Sequence, residues 1–194
     1  GSININSGFA ISVVGLTQAV ASLAGICQPL AIVCGSALCA LLLKPCGAYV
    51  TYMIGLVMAL WGQLLTGLPA IFQHEGLFWL GWSIVGLGWG VCTPSVTALF
   101  SVRVADKSDQ GKLFACQNFI ACLGQTAGSY VWSNIFFQST YIGTWKGGLG
   151  FYAAAVLNVV LLVGFGTLFR LYIKPEARRE QDRQRLLSQA TVGS

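Results

Sequence analysis

Charge is nearly confined to three places in this chain: Lys44, the stretch from Arg103 to Lys112, and the tail that begins at Arg170. Only Glu75 and Lys146 lie outside them. A charged side chain near the bilayer centre costs about 2.5–3.5 kcal/mol even on the insertion scale, so long uncharged apolar runs are what a membrane imposes on a sequence. Charged residues make up 9% of the 194 positions and hydrophobic ones 55%, with a mean hydropathy of +0.70. A soluble domain carries about 25% charged residues to keep its surface wet. This pattern excludes a water-soluble domain and predicts an all-α, polytopic transmembrane helix bundle.

About 20 apolar residues cross the hydrocarbon core, and tilted helices run longer. The uncharged runs therefore predict about five spans. The first lies within Phe9 to Leu43 and carries Pro29 near its middle, which favours one kinked helix over a re-entrant hairpin. Gly47 to Phe72 is the second, Gly76 to Val102 the third, Leu113 to Gln138 the fourth, and Gly150 to Tyr172 the fifth. Residues 1–174 form the membrane bundle on this reading, and 175–194 a cytoplasmic tail.

Cytoplasmic loops collect Lys and Arg. Lys44, then Arg103, Lys107 and Lys112, then the basic residues from Arg170 onward all fall on one side of a five-span chain, with Lys146 opposite. The C-terminus is thus expected in the cytoplasm and Gly1 on the other side, in a plasma membrane or an endolysosomal one. An exoplasmic start needs a leader or earlier helices, and none is seen here, so the chain reads as the C-terminal part of something longer. Its partners are then membrane lipid and the missing N-terminal helices, with no nucleic acid among them.

The most distinctive connection runs from Ser101 to Cys116. On residue chemistry it is a solvated turn in which Ser108 or Asp109 is placed to cap the fourth helix. Its pattern also resembles a known family. Asp106-Lys107-Ser108, then Gln110-Gly111 after Asp109, then Leu113-Phe114-Ala115-Cys116 is similar to the loop between the tenth and eleventh helices of proton-coupled folate transporter relatives, within the major facilitator superfamily. The resemblance implies twelve helices in two pseudo-symmetric halves, with this chain matching helices eight to twelve. It further implies secondary active transport of a small organic solute by alternating access, coupled to protons. Where that family carries a basic residue late in the tenth helix, this chain has Thr97 and Ala98, so the resemblance leaves the solute open. A looser likeness, through Gly86-Leu87-Gly88, Ala98-Leu99 and the fourth span, links the chain to transporter-shaped proteins that regulate channels or escort receptors. A non-transporting partner is the alternative function.

In the fourth span, Asn118, Cys122, Gln125, Ser129 and Trp132 recur at i, i+4, i+7, i+11 and i+14, which sets them on one helix face. Uncharged amides in hydrocarbon need partners, so this stripe faces either neighbouring helices or a hydrated path. The implied fold places the eleventh helix beside the central cavity, making Asn118, Gln125, Ser129 and Trp132 candidates for a substrate path. Gln18, Gln28, Gln63, Thr66 and Asn158 read as polar links between helices. Gly86 with Gly90 and Gly124 with Gly128 give small residues at four-residue spacing, permitting close helix approach.

The tail pairs Glu176 with Arg179, Glu180 with Arg183 and Asp182 with Arg185 at i,i+3 spacing, consistent with a short helix that is either solvated or drawn to anionic headgroups. The seven cysteines have no paired metal-ligand spacing and read as small apolar residues. With His74 the only histidine, no metal site or nucleophile triad can be assembled, and neither an enzyme nor a cofactor is expected.

Overall fold

The computed structural model describes residues 9–11, 14–72, 74–103, 107–131 and 145–173. Among these every regular element is helical. In chain order they are α1 (Gln18–Gly67), α2 (Pro69–Phe72), α3 (Glu75–Arg103), α4 (Lys107–Val131), a 3₁₀ turn (Trp145–Gly148), α5 (Leu149–Leu168) and a π turn (Phe169–Ile173). Three helical stretches are long and apolar enough to cross a membrane: Gln18–Phe72, Glu75–Leu99 and Leu149–Leu171. The fourth expected span, Leu113 to Gln138, is described only as far as Val131, within α4, and α4 is not one of them. Its amides and its charged first turn lower its hydropathy, although the helix itself runs 25 residues without a break.

The first stretch holds 55 residues, far beyond the ~20 that one crossing needs. It is divided at Gly47, whose φ of 76° and ψ of 161° no helix accommodates and which glycine tolerates because it has no Cβ. Residue pairings along α3 show what that break does. Before it, Ala24 meets Trp82, Gln28 and Ala31 meet Gly86, Ile32, Gly35 and Ser36 meet Gly90, and Cys39 meets Ser95. Both numbers rise together, so this first arm of α1 runs parallel to α3. After the break, Thr66 meets Gly81, Gly62 meets Val85, Ala59 and Gly55 meet Gly88, and Tyr52 meets Cys92. Here one number falls as the other rises, so the second arm is antiparallel. The chain therefore reverses at Lys44-Pro45-Cys46-Gly47, giving an up-down-up bundle with α3 in contact with both arms. Half of the apolar window of α3 is buried, against 11% of that of α1.

Pro29 lies inside the first arm without interrupting it, since the only non-helical backbone within α1 is at Gly47. The expected single helix is found in that part. Its start differs from the expected one: Phe9–Ile11 form a separate turn, Gly15 takes a φ of 79°, and α1 begins at Gln18 after Thr17, whose hydroxyl accepts from the Val20 amide. The reversal folds Phe9 back into the end of the bundle. There its ring lies 4.7 Å from that of Phe151 in an edge-on arrangement and 6.1 Å from that of Phe78, with Trp79 and Trp82 completing the cluster. Aromatic pairs of this geometry contribute about 0.5–1.5 kcal/mol beyond their burial.

Packing along α3 depends on missing side chains. A Cβ on Gly88 would lie 2.6 Å from the Ala59 amide nitrogen, and one on Gly81 2.5 Å from that of Thr66, so each glycine admits the backbone of the second arm. Gly86 and Gly90 face the first arm in the same way. The motif Gly86-Leu87-Gly88-Trp89-Gly90 thus alternates its glycines between two neighbours. Where lipid removes the hydrophobic drive for helix association, such close van der Waals approach is a principal force holding helices together.

The chain divides into two compact units, Gly1–Asn158 and Val159–Ser194. In the second, the described residues continue α5 into the π turn, with Val160, Val163 and Leu171 exposed and open space around Gly164. The tail from 174 onward, with its expected ion pairs, lies outside the described residues.

Candidate functional site

The candidate path residues belong to α4. Because α4 is one uninterrupted helix from Lys107 to Val131, positions 118, 125 and 129 share a face as the period requires; Trp132 lies outside the described residues. Asn118 and Cys122 are exposed, and so is Ala127 on the opposite side. Nothing lies within 4 Å of where a Cβ would stand on Gly124 or Gly128. The two glycine pairs that look alike in sequence therefore differ: Gly86 and Gly90 are pressed against a neighbouring backbone, while Gly124 and Gly128 face open space. Phe119, Ile120, Leu123 and Tyr130 are exposed as well.

The loop motif is partly described. Asp106 lies outside the described residues. Helix α4 starts at Lys107, six residues before the expected Leu113, which moves Ser108 and Asp109 inside the helix and removes them as caps. The reason is that hydropathy marks where lipid begins, whereas backbone hydrogen bonding marks where a helix begins. As a first-turn acid, Asp109 complements the positive end of the helix dipole, and it accepts a 2.9 Å bond from Lys112 one turn on. Gln110 donates from Nε2 to the Ser101 carbonyl at 3.4 Å, linking the first turn of α4 to the last turn of α3. Gly111 is exposed with open space where a Cβ would stand.

Two of the residues expected to link helices, Thr66 and Gln63, behave otherwise. Thr66 bonds back to Gly62 of its own helix, and Gln63 Oε1 is enclosed without a partner among the described residues, as is Gln117 Oε1 on α4. An enclosed carbonyl left unpaired costs about 1–3 kcal/mol. Besides Gln110 to Ser101, the links found are Trp82 Nε1 donating to the Ala24 carbonyl at 3.1 Å, Ser36 Oγ to the Gly90 carbonyl at 3.3 Å, Cys92 Sγ to the Tyr52 carbonyl at 3.7 Å, the Tyr152 hydroxyl to the Gly67 carbonyl at 3.1 Å, and Cys39 against Ser95 at 3.2 Å. All but the last end on a backbone carbonyl, which no side-chain pattern reveals. Cys39, read as an apolar filler, makes a polar contact.

Among the described residues no group of three His, Cys, Asp or Glu side chains is placed to hold a metal ion. Every charged residue within the described helices sits at a helix end or at the Lys44 reversal. Chemically, the arrangement offers neutral amides and hydroxyls, suited to hydrogen bonding a solute or a neighbouring helix. Comparisons with protein-family models, with curated proteins and with solved structures each found no match.

Proposed function

We propose that this chain is the C-terminal portion of a facilitator-type secondary transporter that moves a small organic solute by alternating access between two helical halves. The five-span count belongs to this reading: the arms of α1 on either side of Gly47, then α3, α4 and α5. The observation that carries it is the contrast at α4, where Asn118 and Cys122 of the stripe are exposed, whereas the two arms of α1 and α3 pack closely on one another. In a facilitator such a face meets solute or the other half.

Cysteine substitution in the full-length protein tests the path. Cys116 and Cys122 are exposed on α4 and must first be replaced. Q125C and S129C should then react with membrane-impermeant thiol reagents and be protected by solute, whereas A127C, about 180° from Asn118 by the helical period, should stay inert. Inertness of both stripe positions in every state sampled would leave packing as the role of the stripe. The same chemistry tests topology. Labels at 107 and 146 should report opposite sides, and agreement between them would end the five-span reading.

A second reading, a transporter-shaped regulator or escort, rests on the five expected spans carrying no Asp, Glu or His, which leaves them without a carboxylate or imidazole for proton coupling. Membrane-embedded acidic or histidine residues in the preceding helices of the full-length protein would favour transport. Their absence would favour the partner role. As about five helices are less than one half of a facilitator, the isolated chain should show no saturable uptake in vesicles.

A further inference from the structure

Pro94 lies in the interior of α3. Proline has no amide hydrogen, so the carbonyl four residues earlier, that of Gly90, loses its helical partner, and the ring pushes that carbonyl outward. In lipid a freed carbonyl must find a donor, usually on a neighbouring helix. Here Ser36 Oγ lies 3.3 Å from the Gly90 oxygen. It reaches across a close helix contact, where a Cβ on Gly90 would overlap the Ile32 carbonyl and lie 2.8 Å from the Gly35 Cα. Ser36 Oγ is also 3.0 Å from the Ile32 carbonyl of its own helix. One hydroxyl carries one proton, so the two carbonyls compete for it.

The surroundings of Pro94 fit a flexible joint. Thr93, Ser95 and Thr97 each turn a hydroxyl back to the carbonyl four residues earlier, at 3.0, 2.6 and 3.0 Å, a habit that loosens and bends helices. Beyond the joint, Cys39 against Ser95 is the next link between the two helices.

We infer that α3 is hinged at Pro94 and that Ser36 is its latch: donation to Gly90 holds α3 against the first arm of α1, and donation to Ile32 releases it. Ser36 is a positioning residue, and its role exists because Pro94 removes the normal donor. The device holds for either functional reading.

The test uses an accident of the sequence. Of the 24 glycines, Gly90 alone precedes a valine, so ¹³C-carbonyl glycine with ¹⁵N-valine labelling isolates the Gly90 carbonyl in NMR spectra of the intact chain. S36A should move that resonance upfield, as loss of a hydrogen bond requires, and raise amide exchange in residues 95–99 about tenfold. In a P94A background the introduced alanine supplies the missing amide, and the same S36A change should alter neither readout. An unmoved Gly90 resonance in S36A overturns the proposal, as do equal responses in the two backgrounds. Should P94A not fold, the Gly90 resonance with Pro94 in place decides alone.

Discussion

Helices α3 and α4 are of similar length, carry a glycine pair at the same spacing, and follow one another with three residues between them, yet the glycines of the first are pressed against two neighbours and those of the second face open space. What separates them is the chemistry around the glycines. Around Gly86 and Gly90, Leu87, Trp89 and Val91 supply apolar bulk, and the polar side chains that follow on α3, Thr93 and Ser95, turn their hydroxyls back to carbonyls of their own helix. Around Gly124 and Gly128 the neighbours include Gln125 and Ser129, in a helix that also carries Gln117 and Asn118. Amides need partners that an apolar neighbour does not supply. A small-residue pair thus makes a helix able to be approached closely, and the polarity of its face decides what approaches.

The largest expected effect lies in exchanging small residues between the two. G90A places a Cβ in overlap with the Ile32 carbonyl. Overpacking of a side chain typically costs about 1–3 kcal/mol, and two backbones yield less readily than side chains, so G90A should reach or exceed the top of that range in detergent unfolding. G128A meets open space and gains up to about 1 kcal/mol of helix propensity, so it should be neutral or stabilising in this chain. Equal damage from the two would break the comparison.

Next is W82F, which leaves the Ala24 carbonyl without its donor. A loss of about 1–2 kcal/mol in the same assay is expected. Y152F removes the hydroxyl that closes the C-terminal end of α1 at Gly67; Tyr152 is half-buried, and a smaller loss of about 0.5–1 kcal/mol should follow. Smallest is K112A on α4, where the bond to Asp109 is largely exposed. It should shift stability by less than about 0.5 kcal/mol and by nothing measurable at high salt. A clear effect of K112A that salt does not remove would mean that this end of α4 is covered.

Much of the bundle was legible in the sequence. Lys44, between the run that ends at Leu43 and the one that begins at Gly47, separates the first two spans, and the structure turns there. The close approach at Gly86 and Gly90 follows from their spacing. That Gly88 serves the opposite neighbour was not legible, because a spacing rule names a face and not its occupant. Nor was the return of Phe9 into the aromatic cluster, since hydropathy runs straight through Gly15. For the candidate site, the period gives the shared face of positions 118, 125 and 129, and what meets that face depends on segments that the described residues do not include.

The glycine seams along α3 also govern how this molecule can move. Where side chains interlock, sliding one helix past another forces each knob out of its hole and through unfavourable rotamers. A seam of glycines has few knobs to lift, so a shift of a fraction of a turn along it meets little resistance while van der Waals contact is kept. With one such seam on each side, α3 resembles a shaft held between two smooth bearings, and the register of the bundle is left to a few links: Trp82, Ser36 and the Cys39–Ser95 contact on one side and Cys92 to Tyr52 on the other.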